Sequence, residues 1–354
     1  MFPYFLLVGI PFIINMFYLG NRDKRKNQFL IVVFFVLYFL LLALRSEKIG
    51  IDLTNYKTIY IIFGKSSWDK IFRGTEEIEI GFAVLCKLVY LTNANFHTFM
   101  IVVAAIEIIP LAILYRNEVE NSFLSIVLFL NIGIFSMLFS GLRQSIAVSL
   151  GVIAFLLLKK RKFILFILVV LLATTFHTSA FMLLFMLPLY YLRITKKWLI
   201  IVVPLVVLTM VFNSQIFSAI AKLLPERYDS YKIEKTGAFA MLLMYGLFAV
   251  YAFVISDEDN IDSDTLGLRN FLLFSIILQI FASVSSIAMR MNYYYIIFIP
   301  LLVPKVIKNS KNAFLKVNSY AEVIMTLFFM FYFFYNAYLG ADVLQIYPYE
   351  FFRR

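Results

Sequence analysis

Apolar residues fill long stretches of the chain, each closed by a short polar segment. The apolar runs occupy 2–19, 28–44, 98–115, 123–140, 143–158, 163–176, 179–192, 198–213, 237–255, 270–288, 291–304 and 318–338. A helix needs about 20 apolar residues to cross the hydrocarbon of a bilayer. The pattern therefore predicts an all-α fold, a polytopic transmembrane helical bundle of about 12 spans, several of them short. The stretch 163–192 reads as two short spans, or instead as one long span or a re-entrant pair. Residues 78–92 are apolar but carry Glu79 and Lys87, and they read as an interfacial or re-entrant helix. No Pro/Gly/Ser linker or repeat divides the chain. Residues 1–354 thus read as a single integral membrane domain with two long loops, about 45–97 and 214–236.

Charge orients these spans. Basic residues gather at 22–26, Arg116, 159–162, Arg193 with Lys196 and Lys197, Arg269 and 305–316, in alternate loops. Cytoplasmic loops carry the excess of Lys and Arg, so the N-terminus and the loops 45–97 and 214–236 are expected outside. The first apolar run has no charge before it and a basic cluster after it, the order of a retained span rather than a cleaved leader. Composition agrees: 62% of residues are hydrophobic, only 15% are charged, and mean hydropathy is +0.89. A soluble domain is about half apolar and about a quarter charged. The net charge of +11 is accounted for by the basic loops, so the expected surroundings are membrane lipids, not nucleic acid. One cysteine, Cys86, leaves no internal disulfide, and two histidines leave little for a metal. Neither metal nor cofactor is expected.

The same threading sends a set of polar residues to the outer ends of spans: Arg45, Asp52, Glu79, His97, Arg143, His177, Arg227 and Arg290. Arginine there runs against the positive-inside bias, which calls for a bound anion or a protein carboxylate to offset it. Gly141-Leu142-Arg143-Gln144 turns the chain and opens the run at 143–158. This places Arg143 in a first helical turn, where backbone N–H groups and the helix dipole favour an anion. A guanidinium grips phosphate with two parallel hydrogen bonds; its other reading is snorkelling to headgroups. Phe176-His177-Thr178-Ser179-Ala180 interrupts a long apolar run. Its imidazole is either a base or donor towards a substrate, or a tie between two short helices. Arg290 precedes Tyr293, Tyr294 and Tyr295, which either stack on sugars or form an interface belt. The D-x-D spacing within 257–264 lies in a short basic-side loop without a nucleotide-binding pattern and reads as solvated charge. Glu107 and Glu322, inside apolar runs, favour a transporter.

The G-x-R-Q motif opening an apolar helix (Gly141, Arg143, Gln144, then Ala147) and the later F-H-x-S-A (Phe176, His177, Ser179, Ala180) resemble the EpsG family of exopolysaccharide and O-antigen proteins, related to Wzy-type polysaccharide polymerases. Weaker pieces follow in order: Arg45; Gly50, Asp52 and Tyr56; Glu79, Gly81 and Phe82; Arg227 with Tyr228; and Arg290 before the tyrosines. Ile80 stands where the family often has proline.

The resemblance implies a multi-pass protein of the bacterial plasma (inner) membrane, with its active site facing the periplasm or cell exterior. It would be a glycosyltransferase polymerising undecaprenyl-pyrophosphate-linked oligosaccharide repeat units into an O-antigen, capsule or exopolysaccharide. Arg143 and Arg290, with Arg45 and Arg227, would clamp pyrophosphate beside Gln144, Tyr228 and Tyr294. His177 would act as hydrogen-bonding group or base, with Asp52 or Glu79 as alternative base. The implied partners are the lipid-linked oligosaccharide and a chain-length regulator and flippase of the same pathway. The competing functions are a flippase or other transporter of lipid-linked oligosaccharide, and a ligase that moves finished glycan.

Overall fold

In the computed structural model, residues 2–17, 23–74, 77–221, 239–310, 315–340 and 344–352 are described. Among them the fold is all-α, with two isolated bridges, Arg45 with Phe351 and Ser256 with Ser310. The chain divides into two compact units, Met1–Leu184 with Val323–Arg354, and Phe185–Glu322.

The first unit holds α1 (Phe2–Phe17), α2 (Lys24–Leu44), α3 (Leu53–Lys65), α4 (Trp68–Phe72), α5 (Ile80–Tyr90), α6 (Phe96–Glu118), α7 (Ser122–Asn131), α8 (Ile134–Ser140), α9 (Leu142–Lys159) and α10 (Phe163–Thr174), then a 3-10 segment, Thr178–Phe185. The second holds α11 (Met186–Tyr191), α12 (Leu199–Val211), α13 (Asn213–Ala221), α14 (Phe239–Ile255), α15 (Ser263–Ala282), α16 (Ser286–Ile296) and α17 (Ile299–Lys308). The last helix, α18 (Leu315–Leu339), starts in the second unit and continues in the first from Val323.

Two of the long helices start where a polar side chain caps them. Asp23 accepts from the Arg25 N–H at 3.1 Å at the head of α2, and Asn95 from the Thr98 N–H at 2.9 Å at the head of α6. Each such cap contributes about 1 kcal/mol. Among the described residues six helices are long and apolar enough to cross a membrane, or up to eight when each of two bent pairs counts as one, with four shorter apolar helices beside them; this does not confirm the expected twelve. The run 123–140 is split at Gly133, whose φ of 89° ends α7 and starts α8 at a 57° bend. The run 163–176 yields only the 12 residues of α10, about 18 Å long at the helical rise. After it the chain tightens into the 3-10 segment, and the pair Thr178–Tyr191 and Lys196–Val211 bends by 117°.

Within the first unit, side-chain bonds sort the helix ends into two sets. At one end Asn27 donates to the Glu120 carbonyl at 3.1 Å, Ser122 donates to Asn27 at 2.7 Å, and Lys159 pairs with Glu118 at 2.8 Å. The basic loops assigned to a single side thus meet. At the other end the tail 344–352 is woven onto the chain: Ser46 N–H reaches the Glu350 carbonyl at 2.8 Å, and Phe352 N–H reaches Leu44 at 2.9 Å. The second unit has its own basic end, where Lys196 meets the Ser256 carbonyl at 3.2 Å and Lys305 pairs with Asp264 at 3.1 Å. Large apolar side chains point outward from α10, α12 and α18; Ile200 of α12 is 79% exposed. Such continuous apolar faces suit lipid, not water.

Candidate functional site

Four short segments of the first unit meet beside the head of α9. Gly141 ends α8 and is also the N-cap of α9, so the chain turns within one residue and Arg143 falls in the first turn. Ser145 fixes that turn by donating its hydroxyl to the Gly141 carbonyl at 2.8 Å. The Arg143 guanidinium leans away from α9 towards the segment before α5. Its Nη1 donates to the Glu77 carbonyl at 2.9 Å and forms an ion pair with the Glu79 carboxylate. The other carboxylate oxygen of Glu79 accepts from the Thr178 N–H at 3.1 Å and the Thr178 hydroxyl at 3.2 Å. Gly81 N–H then donates to the Thr175 carbonyl at 2.8 Å. A side chain at Gly81 would collide with that carbonyl and the Thr175 hydroxyl, so the spacing Glu79–Gly81 lets one residue supply charge and the other supply close approach.

His177 lies one residue before Thr178. Its Nδ1 is 2.7 Å from the Ser179 hydroxyl and accepts the Ser179 N–H at 3.3 Å. With Nδ1 serving as acceptor, a neutral ring carries its proton on Nε2. The imidazole is then a hydrogen-bond donor on that side, a role suited to an anionic oxygen. Burial alone would push the Glu79 carboxyl up, but Arg143, backbone N–H bonds and His177 together hold it below the usual carboxylate range. Glu79 is therefore ionised at neutral pH, and its negative charge is taken up by Arg143. The Tyr56 hydroxyl of α3 bonds to the same guanidinium; burial raises its pKa against the pull of Arg143, so it stays a neutral hydroxyl.

Asp52 flanks this cluster. Gly50, at φ 110°, packs so closely on the Phe139 carbonyl that a β-carbon there would overlap it. That contact sets Asp52 beside Ser140, whose hydroxyl donates to the Asp52 carboxylate at 3.2 Å. Asp52 is exposed, whereas Gln144 is buried.

Arg45 lies elsewhere. It is 1% exposed, donates to the Leu138 carbonyl at 3.4 Å and sits 5.3 Å from the centre of the Phe139 ring. Its electrostatic neighbour is Glu107 of α6, which is fully enclosed. The other expected outer histidine, His97, stacks on Phe352 with ring centres 3.8 Å apart. In the second unit, Arg290 is exposed on α16 near Tyr293, while Tyr294 is 1% exposed. Glu322 is half-buried beside Tyr251. Arg227 and Tyr228 lie outside the described residues.

Sequence reasoning gave Thr178 and Ser140 no role in the site, and it singled out Tyr56 only as part of the piece with Gly50 and Asp52. Thr178 had one available signal: a side-chain hydroxyl inside a break in an apolar run has backbone and carboxylate groups to satisfy.

A family model described as the EpsG family matches residues 28–351, nearly the whole chain. No curated protein and no solved structure matches it.

Proposed function

We propose that this chain, which belongs to the EpsG family, is a membrane glycosyltransferase that extends a polysaccharide from repeat units carried on undecaprenyl pyrophosphate. Membership points to a polysaccharide-polymerase type of function, and the apolar helices to a membrane protein. The proposed location is the bacterial inner membrane, with the Arg143 end facing the periplasm or cell exterior.

In the proposed reaction the growing chain is the donor. A hydroxyl oxygen of the incoming repeat unit bonds to the anomeric carbon of the donor. The bond from that carbon to the carrier's pyrophosphate breaks, its electron pair leaves on the pyrophosphate, and the hydroxyl proton passes to a base or to the departing oxyanion. Charge develops on the leaving group, so positive and N–H groups fixed beforehand lower the barrier. Arg143 would bind pyrophosphate, helped by the first-turn N–H groups of α9, and His177 would donate through Nε2. Glu79 would hold Arg143 in place in the resting protein. Asp52, exposed beside Ser140, is then the carboxylate available to the acceptor hydroxyl. The observation that carries this reading is the ion pair of Arg143 with Glu79 at a helix head next to His177.

The test is reconstitution. The purified chain in phospholipid vesicles, given a lipid-linked repeat unit, is expected to produce a ladder of longer glycans. Failure to form any new glycosidic bond would overturn the proposal. A transporter is favoured by one observation, the enclosed Glu107 in the body of α6. Deleting the protein separates the two: loss of a polymerase leaves single repeat units on their final carrier, and loss of a transporter leaves none outside.

A further inference from the structure

We infer that a groove between α6 and α9 holds the head-proximal isoprene units of the carrier whose pyrophosphate meets Arg143; this rests on the function proposed above. The groove measures about 410 Å³ and is lined by apolar side chains, among them Val102, Ile106, Ile109 and Pro110 of α6 and Leu150 and Ile153 of α9. It opens outward, with Ile109 57% exposed. One of its lining residues, Pro110, lies inside α6 and has no backbone N–H to give to the helix ladder.

The register of α9 ties this groove to the Arg143 cluster. Arg143, Leu150 and Ile153 are each partly exposed, while Gln144 to Ser149 are buried. Leu150 follows Arg143 by seven residues, which at 100° per residue returns it to the same face about 10 Å further along the helix. The surface between is apolar as well. Ile80 and Phe176, the chain neighbours of Glu79 and His177, pack with Leu150 and Ile106 against one core cluster. An amphiphile with its diphosphate at Arg143 therefore has an apolar track below its head, leading into the groove. An apolar cavity of about 150 Å³ accommodates benzene, so this one takes about two or three five-carbon units. The remainder of a long carrier stays in the bilayer. Because lipid is itself apolar, the groove supplies packing rather than a hydrophobic driving force. Occupancy must then come from the head, and this sets the carrier apart from bulk phospholipid: its residence in the groove depends on Arg143.

The experiment places a photoreactive benzoylphenylalanine at Ile153, and separately at Ile109, in the full chain. The protein sits in phosphatidylglycerol vesicles containing undecaprenyl pyrophosphate. Irradiation is expected to attach the polyprenyl probe at both positions, and Arg143→Ala is expected to lower that capture about tenfold. A third position, Ile164 on the outward face of α10, should attach only phospholipid whether or not Arg143 is present. Capture of phospholipid alone at Ile153 and Ile109, or probe capture indifferent to Arg143→Ala, overturns the inference. The two proposals fail separately. A protein that polymerises but never captures the probe loses the groove and keeps its function. One that captures it through Arg143 but forms no glycosidic bond keeps the groove and loses its function.

Discussion

Two arginine–glutamate pairs, one in each unit, show how differently the same chemistry is used. Arg269 of α15 is wholly enclosed. It donates to Glu258 at 2.6 Å and to the Ile194 carbonyl at 2.8 Å, and it lies 3.9 Å from the centre of the Phe253 ring. Arg143 and Glu79 keep 22% and 17% of their side chains exposed, at the head of a helix, with His177 adjacent. In both arginines Nε is enclosed without a partner among the described residues, so that feature marks neither. What separates them is access. Arg269 spends its donors tying two loops, at Glu258 and Ile194, to α15, and it is fully enclosed. Arg143 is held by a carboxylate that an incoming phosphate could replace. An ion pair alone says little about function; exposure and neighbours decide.

The comparison breaks first, and by the largest margin, at Arg269. Replacing it with Met leaves Glu258 unpaired, and breaking a buried pair costs about 3–5 kcal/mol. Glu258 keeps 20% of its side chain exposed, which puts the expected loss near the lower figure. Arg269→Met should lower the unfolding temperature in detergent and the amount of protein in membranes, with polymer falling only in proportion. Normal protein with little polymer would give Arg269 a working role and erase the distinction.

Arg143→Lys keeps a positive charge but loses the planar fork that matches phosphate. Removing one fixed donor from a developing oxyanion costs about a hundredfold or more in rate. Polymer should fall by about that factor while protein level and unfolding temperature stay near wild type. A Lys variant with wild-type chain lengths would reduce Arg143 to an anchor like Arg269.

The sequence made some of this legible. α2, α6 and α9 are unbroken apolar runs, and Asp23 and Asn95 mark the starts of two of them. The breaks were not legible, because Gly133 in the run 123–140 reads like any glycine tolerated in a span until its φ is known. For the cluster, the segments around Glu79, Arg143 and His177 stood out singly. Their meeting did not, since Glu79 and Thr178 lie 99 positions apart and periodicity carries no tertiary contact. Arg45 is the instructive case. It follows an apolar run just as Arg143 opens one, and both read as membrane-edge arginines. Arg45 is nevertheless enclosed, with the tail 344–352 bonding to Leu44 and Ser46 on either side of it. No local pattern announces that a segment some 300 residues away will fold onto the end of α2.

Glu79→Gln sharpens the contrast at a smaller scale. Glutamine still accepts from Thr178 but cannot neutralise Arg143, so a partial loss of polymer, about tenfold, is expected if Glu79 positions the guanidinium. Complete loss would instead make Glu79 the base. The depressed carboxyl also fixes a pH signature. Its stabilisation is fully present above the ordinary glutamate value of about 4.3 and is lost as pH falls through the lower folded value. Wild type and Glu79→Gln should therefore differ by a constant margin in unfolding temperature from pH 7 to 5, and converge only in stronger acid.

The smallest expected effect belongs to a third pair in the first unit, Lys57 with Glu47 at 2.7 Å. Both side chains are more than 40% exposed, and solvent-exposed pairs contribute about 0–1 kcal/mol, less in salt. Lys57→Ala should shift unfolding by under about 0.5 kcal/mol and leave polymer length unchanged. This variant controls for loss of charge as such. Lys57 is carried on α3, the helix that also supplies Tyr56 to Arg143. If Lys57→Ala weakened polymerisation as Arg143→Lys does, diffuse positive charge would suffice to attract the substrate, and the geometry of one guanidinium at the head of α9 would explain nothing further.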